Sequence, residues 1–285
     1  MKLLTIQDMA CYGKCSGSIA MPVLSAMGIE TTLLPTSVLS THSAFKGFTF
    51  RDLLPEMEAI LDHWISLDLQ FDAIYIGYLG SEPQLEFVHR LIAHFPNSLI
   101  MVDPVMGDNG KLHRRMTPSF IVSYAALCQR AHLLLPNMTE ACALLGQPYT
   151  GEVVTDPLPL LHGLREMGAE NVVITGLQRT TSHTVTSSDA SALELGAVCL
   201  DSSNEYSSYF RPPVPGHFHG TGDLFASVCI GGLLRGLSLS AALELATDFT
   251  TICAQNTASS GDAEGNHWHG LKFETCLPKL WERLS

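Results

Sequence analysis

Six short apolar runs, each closed by polar residues or glycine and each leading toward a helical pattern, limit what this chain can fold into. Residues 3–7, 31–39, 73–78, 99–103, 132–135 and 172–175 are almost continuous in apolar or β-branched side chains. Between and after them, residues 19–27, 50–67, 83–94, 118–128, 139–145 and 157–167 read as helices. Strands apolar along their whole length must be covered on both faces. The pattern therefore predicts an α/β fold in three layers, a mostly parallel sheet with right-handed crossovers and helices on each side. From 183 to 210 the runs shorten and alternate, which predicts two to four antiparallel strands at one sheet edge, after a polar loop over 180–190. Helices resume at Asp223 and return over 240–259 and 272–284. With 46% hydrophobic and 15% charged residues, the 285-residue chain can bury a large core, and nothing marks a second unit, so one domain over 1–285 is expected.

Sheets of this kind bind ligands at the carboxyl ends of their strands. Polar residues collect there: Gln7-Asp8, Gly77-Tyr78-Leu79-Gly80-Ser81, Asp103-Pro104, Pro136-Asn137 and Thr175-Gly176. Gly220-Thr221-Gly222-Asp223 stands before an apolar helix carrying Leu224, Phe225, Val228, Ile230 and Leu233. Two glycines around one hydroxyl residue let main-chain N–H groups crowd about an anion, which makes a phosphate cradle at a helix N-terminus. Asp223 falls in the first turn, where the helix dipole favours its charged form, as a base acting on a hydroxyl requires. A capped helix after a glycine turn is the other reading of these four residues taken alone. Asp103 and Asp108 flank a Pro/Gly loop, and Asn137 with Glu140 adds oxygens at the next strand end. Singly they cap turns; together they suit Mg²⁺ bridging phosphates, directly or through water. His42 sits in the polar loop 40–43, either against a substrate or hydrogen-bonded within the loop.

Several function classes fall away. The formal net charge of −12 opposes binding to nucleic acid or an anionic membrane. No run is long enough to span a bilayer, the first residues do not form a signal peptide, and a cytoplasmic location is expected. The eight cysteines form no C-x-x-C pair and read mostly as reduced core thiols, which leaves the sequon at Asn137 without a secretory context. Gly110-Lys111 is followed by Leu112, so there is no Walker-type loop, and Phe225 replaces the third glycine of a dinucleotide fingerprint. His217, His219, His267 and His269 lie in i,i+2 pairs without a cysteine at ligand spacing, which disfavours zinc.

The ordered set Ile6-Gln7, Ser40-Thr41-His42-Ser43, Gly77 to Ser81, Asp103 to Asp108, Pro136-Asn137-x-Thr139-Glu140 and Gly220 to Ala226 resembles the pyridoxal/pyridoxamine kinases of the ribokinase superfamily. The likeness spans nearly the whole chain. The Gly-Thr-Gly-Asp segment is shared by many sugar, nucleoside and pyrimidine kinases; the Gly77–Ser81 and Asp103–Asp108 segments narrow it to vitamin B6 kinases. The resemblance implies a ribokinase-like fold and transfer of the ATP γ-phosphoryl group to the 5′-hydroxymethyl of pyridoxal, pyridoxamine or pyridoxine. It implies Asp223 as base, Gly220, Thr221 and Gly222 as the anion hole, and Asp103, Asn137 and Glu140 around Mg²⁺ and the triphosphate. Asp108 would assist, Thr175 would touch ATP, and Tyr78 and Ser43 would meet the pyridine ring. A monovalent cation, usually K⁺, and a homodimer are also implied. Chemistry of this kind is mostly positioning and charge stabilisation.

One departure matters. Better-known members have Ser where this chain has Asp8, which places a carboxyl against the ring and predicts preference for an acceptor with a positive group; Ser43 in place of Thr is milder. A hydroxymethylpyrimidine kinase of the same superfamily is the alternative enzyme, and a non-catalytic sensor of the vitamin or of a nucleotide is the alternative from another class.

Overall fold

The computed structural model describes residues 1–180, 193–260 and 269–284. Its elements are β1 (Lys2–Ala10), α1 (Gly17–Ala26), β2 (Glu30–Leu39), β3 (Phe50–Asp52), α2 (Leu54–Ser66), β4 (Ala73–Ile76), α3 (Glu82–His94) and β5 (Leu99–Val102). There follow β6 (Gly107–Asp108), β7 (Lys111–Leu112), α4 (Pro118–Cys128), β8 (Leu133–Leu134), α5 (Met138–Leu144), α6 (Leu158–Met167), β9 (Asn171–Thr180), β10 (Leu193–Leu200) and β11 (Tyr206–Arg211). The chain closes with α7 (Thr221–Leu234), α8 (Leu239–Ser259) and α9 (Leu277–Glu282).

Nine strands form one sheet in the order β11-β10-β9-β8-β5-β4-β1-β2-β3, and β6 pairs only with β7. The six strands foreseen from the apolar runs are parallel to one another. Their side chains alternate between two cores. Leu4, Ile6, Ile74, Ile76, Ile100 and Val102 pack on one face against Met57, Leu61, Phe87, Leu91, Phe120 and Leu161 from α2, α3, α4 and α6. Leu3, Ala73, Tyr75, Met101 and Val173 pack on the other against Ile19, Leu24, Leu224, Val228, Leu243, Phe249 and Leu280 from α1, α7, α8 and α9. Each such side chain, fully buried, contributes about 1.5–3 kcal/mol, so both faces resist disruption. Helix α7 is apolar nearly all round because it is buried nearly all round, between the sheet and the outer helices.

The structure differs from the sequence reading in five places. Residues 50–52 do not begin a helix: they pair antiparallel with β2, and α2 starts only at Leu54, whose N–H is accepted by Asp52 Oδ1 at 2.9 Å. Both sheet edges are therefore antiparallel, β3 at one and β10–β11 at the other. Strand β9 runs on to Thr180 past Gly176, whose φ of 74° accommodates the slip in its pairing with β10. The segment 272–284 is one 3-10 turn at Glu274–Cys276 and then the short α9, with Pro278 in the first helical turn. The Asp103–Asp108 loop ends in a hairpin whose two turn residues, Asn109 and Gly110, both have positive φ (51° and 72°), the geometry of a type I′ turn. The polar loop read over 180–190 lies almost wholly outside the described residues, as does the start of the 183–210 stretch. No helix among the described residues is long and apolar enough to cross a membrane.

Candidate active site

β1 lies between β2 and β4, so the strand order reverses beside it and the carboxyl ends of β1 and β4 frame a crevice. Asp8 stands there, before the strand ends, where the register of β1 on β2 slips between Gln7 and Met9. It is 6% exposed. Burial raises its carboxyl above the usual range, and the Ser16 hydroxyl opposes that rise. Tyr78, following β4, is near enough to feel the Asp8 charge. Directly beneath, Tyr75 is fully buried with its hydroxyl toward Gln7, Asp103 and Ser227. Gly77 is required there: a Cβ would fall on the Gln7 side-chain amide.

Gly220 begins α7 in the left-handed region with φ 81°, and a Cβ on it would collide with Ile19 Cδ1 and with the Lys14 carbonyl oxygen at 2.8 Å. No side chain caps the helix, whose first internal bond runs from Leu224 N–H to the Gly220 carbonyl at 3.0 Å. The N–H groups of Thr221, Gly222 and Asp223 thus precede the helical ladder. A Cβ on Gly222 would meet no atom within 4 Å, so the approach to them is open. Asp223 is the acidic residue of this first turn. Burial first, and the charge of Asp8 last, push its carboxyl up to about 6, against the Ser16 main-chain N–H, which lowers it. The dipole reading is corrected in degree: burial outweighs the helix terminus, and Asp223 titrates just below neutrality.

Asp103 follows β5. Burial raises its carboxyl well above the usual range, and the nearby charges of Glu140 and Asp223 raise it further. Glu140 is also buried and raised by burial, although three main-chain N–H groups donate to it: Asn137 at 2.8 Å, Met106 at 2.9 Å and Gly107 at 3.4 Å. Asn137 completes a capping box on α5, accepting from Glu140 N–H at 3.0 Å while its Nδ2 donates to the Gly107 carbonyl at 2.8 Å. The turn-capping reading and the site reading thus describe the same side chains: both clamp the hairpin bearing Asp108. That residue is exposed and binds Asn109 through both oxygens. Thr175 is joined to this group by its N–H to the Pro136 carbonyl at 3.0 Å and a bridge to Asn137.

His42 is buried, with its ring 4.6 Å from that of His219, the residue before Gly220. His219 in turn lies 5.2 Å from His217, and its imidazole is pushed down to about 4 by burial and by these two neighbours. Ser43 is exposed on the adjoining turn; the ring contact to the loop before α7 belongs to His42. Among the described residues no three His, Cys, Asp or Glu side chains form a metal-binding set, and His267 lies outside them. A pair of buried acids without such a set fits Mg²⁺, which takes one or two carboxylates and completes its shell with phosphates and water. Sequence reasoning missed Ser16, Tyr75 and the hairpin. The Asn109-Gly110 dipeptide signals the hairpin; nothing local signals the other two.

The reversal of a parallel sheet, with an uncapped helix N-terminus and buried acids at the carboxyl ends of its strands, is the arrangement of a ribokinase-like phosphoryl-transfer protein. The phosphomethylpyrimidine kinase family model matches residues 35–268, and the chain belongs to that family. It is similar, at 35% identity and a TM-score of 0.87, to a Bacteroides thetaiotaomicron protein described as a phosphomethylpyrimidine kinase and crystallised with pyridoxal, over 98% of this chain and 95% of that one. It is also similar to the pyridoxal kinase of Lactobacillus plantarum (31% identity, TM-score 0.86, 99% and 97% covered). The hydroxymethylpyrimidine/phosphomethylpyrimidine kinase of Bacillus subtilis is 26% identical, over 85% of this chain and 83% of its own length.

Proposed function

We propose that this kinase transfers the ATP γ-phosphoryl group to the 5′-hydroxymethyl of a B6 vitamer, with Asp223 as the base. The observation that carries the reading is the placement of Asp223: half-buried in the first turn of α7, its carboxyl pushed up to about 6, and one residue beyond the main-chain N–H groups of Thr221 and Gly222. A carboxyl of that kind is largely ionised at pH 7 yet basic enough to take a hydroxyl proton as the acceptor oxygen attacks phosphorus. The N–H groups at the start of α7 stabilise the charge that gathers on the transferring group. Asp103 would hold Mg²⁺ together with Glu140, whose oxygens also receive main-chain N–H groups. Bound Mg²⁺ neutralises the triphosphate. Tyr78 and Asp8 line the acceptor side, and a ring bearing a positive group offsets the desolvation of Asp8.

The family match and the Bacillus subtilis relative support a second reading, a hydroxymethylpyrimidine acceptor at the same site. The phosphate chemistry is common to both. Asp223→Asn tests it: kcat is expected to fall by about 10²–10⁴ with acceptor binding retained. A variant that keeps wild-type kcat removes Asp223 from the mechanism.

A further inference from the structure

The chain between α5 and α6 does not lead straight to β9. It returns to the carboxyl end of the sheet, where Val153 bridges Gln178 in parallel. Gln178 N–H donates to the Glu152 carbonyl at 2.8 Å, and Val154 N–H donates to the Gln178 carbonyl at 3.4 Å. Strand β8 follows β9 as far as the bridge between Asn137 and Thr175, where the chain turns into α5. Val153 thus takes up, further along β9, the lane that β8 leaves. Between these two rungs the lane is open at Gly176. Among the described residues, a Cβ there would meet a single atom within 4 Å, Glu152 Oε2 at 3.9 Å.

Glu152 is held at this opening. Its Oε1 accepts from the Tyr149 hydroxyl at 2.7 Å. Tyr149 is in turn fixed by the hairpin of β6 and β7: its ring rests on Gly110, where a Cβ would come within 2.6 Å of Cδ1 and 2.7 Å of Cε1. Gly110 N–H is anchored on Thr139 Oγ1 at 2.9 Å. Both Tyr149 and Glu152 are half-buried. The hairpin, the start of α5 and the exit of β9 therefore meet through one phenol and one carboxyl, with Oε2 bordering the opening.

The opening adjoins Asn137 and Thr175, which the kinase reading gives to the nucleotide. An ionised carboxyl accepts hydrogen bonds and donates none. Phosphate oxygens at neutral pH have no proton to offer it and carry its own sign of charge. The ribose, next along the nucleotide, offers two adjacent hydroxyls, and a carboxylate near a strand exit suits them as acceptor. We infer that Glu152 is a specificity-determining residue for the nucleotide, accepting from the ribose hydroxyls, and that Tyr149 is the positioning residue that aims it. The inference rests on the reading of this end of the sheet as an ATP site, and it adds the part of ATP that is selected, ribose over deoxyribose.

Calorimetric binding of ADP and of 2′,3′-dideoxy-ADP, each with Mg²⁺, to the full chain and its variants tests this. Wild type is expected to bind ADP about tenfold tighter than the dideoxy compound, the worth of a hydrogen bond to a charged group. Glu152→Ala should bring that ratio to about twofold or less by weakening ADP alone; an unchanged dideoxy affinity shows that the variant is folded. Glu152→Gln, which keeps a carbonyl oxygen, should retain part of the preference. Tyr149→Phe keeps the ring on Gly110 and releases the carboxyl, so it should narrow the preference without lowering the dideoxy affinity. The same ratio in wild type and Glu152→Ala, or a loss shared equally by both nucleotides, overturns the inference and leaves the kinase reading standing. A wild type that shows the preference yet phosphorylates no acceptor overturns the kinase reading and leaves the role of Glu152 in place.

Discussion

Asp223 shows how a residue can serve chemistry at the expense of the fold. Its folded-state value of about 6 lies above the ordinary 3.8, so the folded protein holds the proton more tightly than the unfolded chain does. That contribution to stability is fully present below pH 3.8 and is lost as pH rises through 6, leaving a poorly solvated charge at pH 7. Asp223→Asn should therefore be more stable than wild type at pH 7, by about 1–3 kcal/mol in urea unfolding, with the difference vanishing near pH 4. An equal or lower stability at pH 7 would show that Asp223 is better solvated than its burial indicates. Asp8 makes the matching prediction on the other wall. If its carboxyl faces the acceptor ring, Asp8→Ser should lower kcat/KM for pyridoxamine more than for pyridoxine; an unchanged ranking of vitamers in a direct comparison removes Asp8 from specificity.

At the level of elements, the site depends on α5 holding the β6–β7 hairpin. Asn137 caps the helix and binds the Gly107 carbonyl, Glu140 receives Met106 and Gly107, and Thr139 Oγ1 accepts from Gly110 N–H at 2.9 Å. Asn137→Ala removes the cap and strands the Gly107 carbonyl, which should cost about 1–2 kcal/mol. Because the hairpin borders the expected nucleotide side, KM for ATP should rise while KM for the acceptor stays within about twofold. A rise in both alike would mean that the hairpin serves the whole crevice. Much of this level was legible in the sequence. The Asn137–Glu140 spacing is a capping box, and Asn109-Gly110 between short polar and apolar residues is a hairpin turn that follows the Asp103–Asp108 loop. The mistaken start of α2 has a similar cause: Phe50, Arg51 and Asp52 have no strong strand pattern, and only pairing with β2 makes them one.

For the whole molecule, the parallel sheet and its polar carboxyl ends followed from hydrophobic continuity, because strands covered on both faces cannot hide that requirement. What the sequence could not reveal is the approach of distant segments: Tyr75 near Asp103, and His42 against His219. Each joins residues from different crossovers, so no local spacing encodes it. The same assembly puts Asp223 within electrostatic reach of Asp8 and of Asp103, and Asp103 within reach of Glu140, in a chain of net charge −12. The central claim is the transfer of phosphoryl from ATP to a B6 vitamer, and one experiment addresses it directly. Mg²⁺-ATP is supplied to the purified protein with pyridoxal, pyridoxamine, pyridoxine, hydroxymethylpyrimidine or ribose, and the phosphorylated product is measured across pH. The account predicts 5′-phosphorylated vitamers at the highest kcat/KM, with activity falling as pH drops through about 6, the value at which Asp223 takes up its proton. Phosphorylation of hydroxymethylpyrimidine alone, or of no acceptor at any pH, would contradict it.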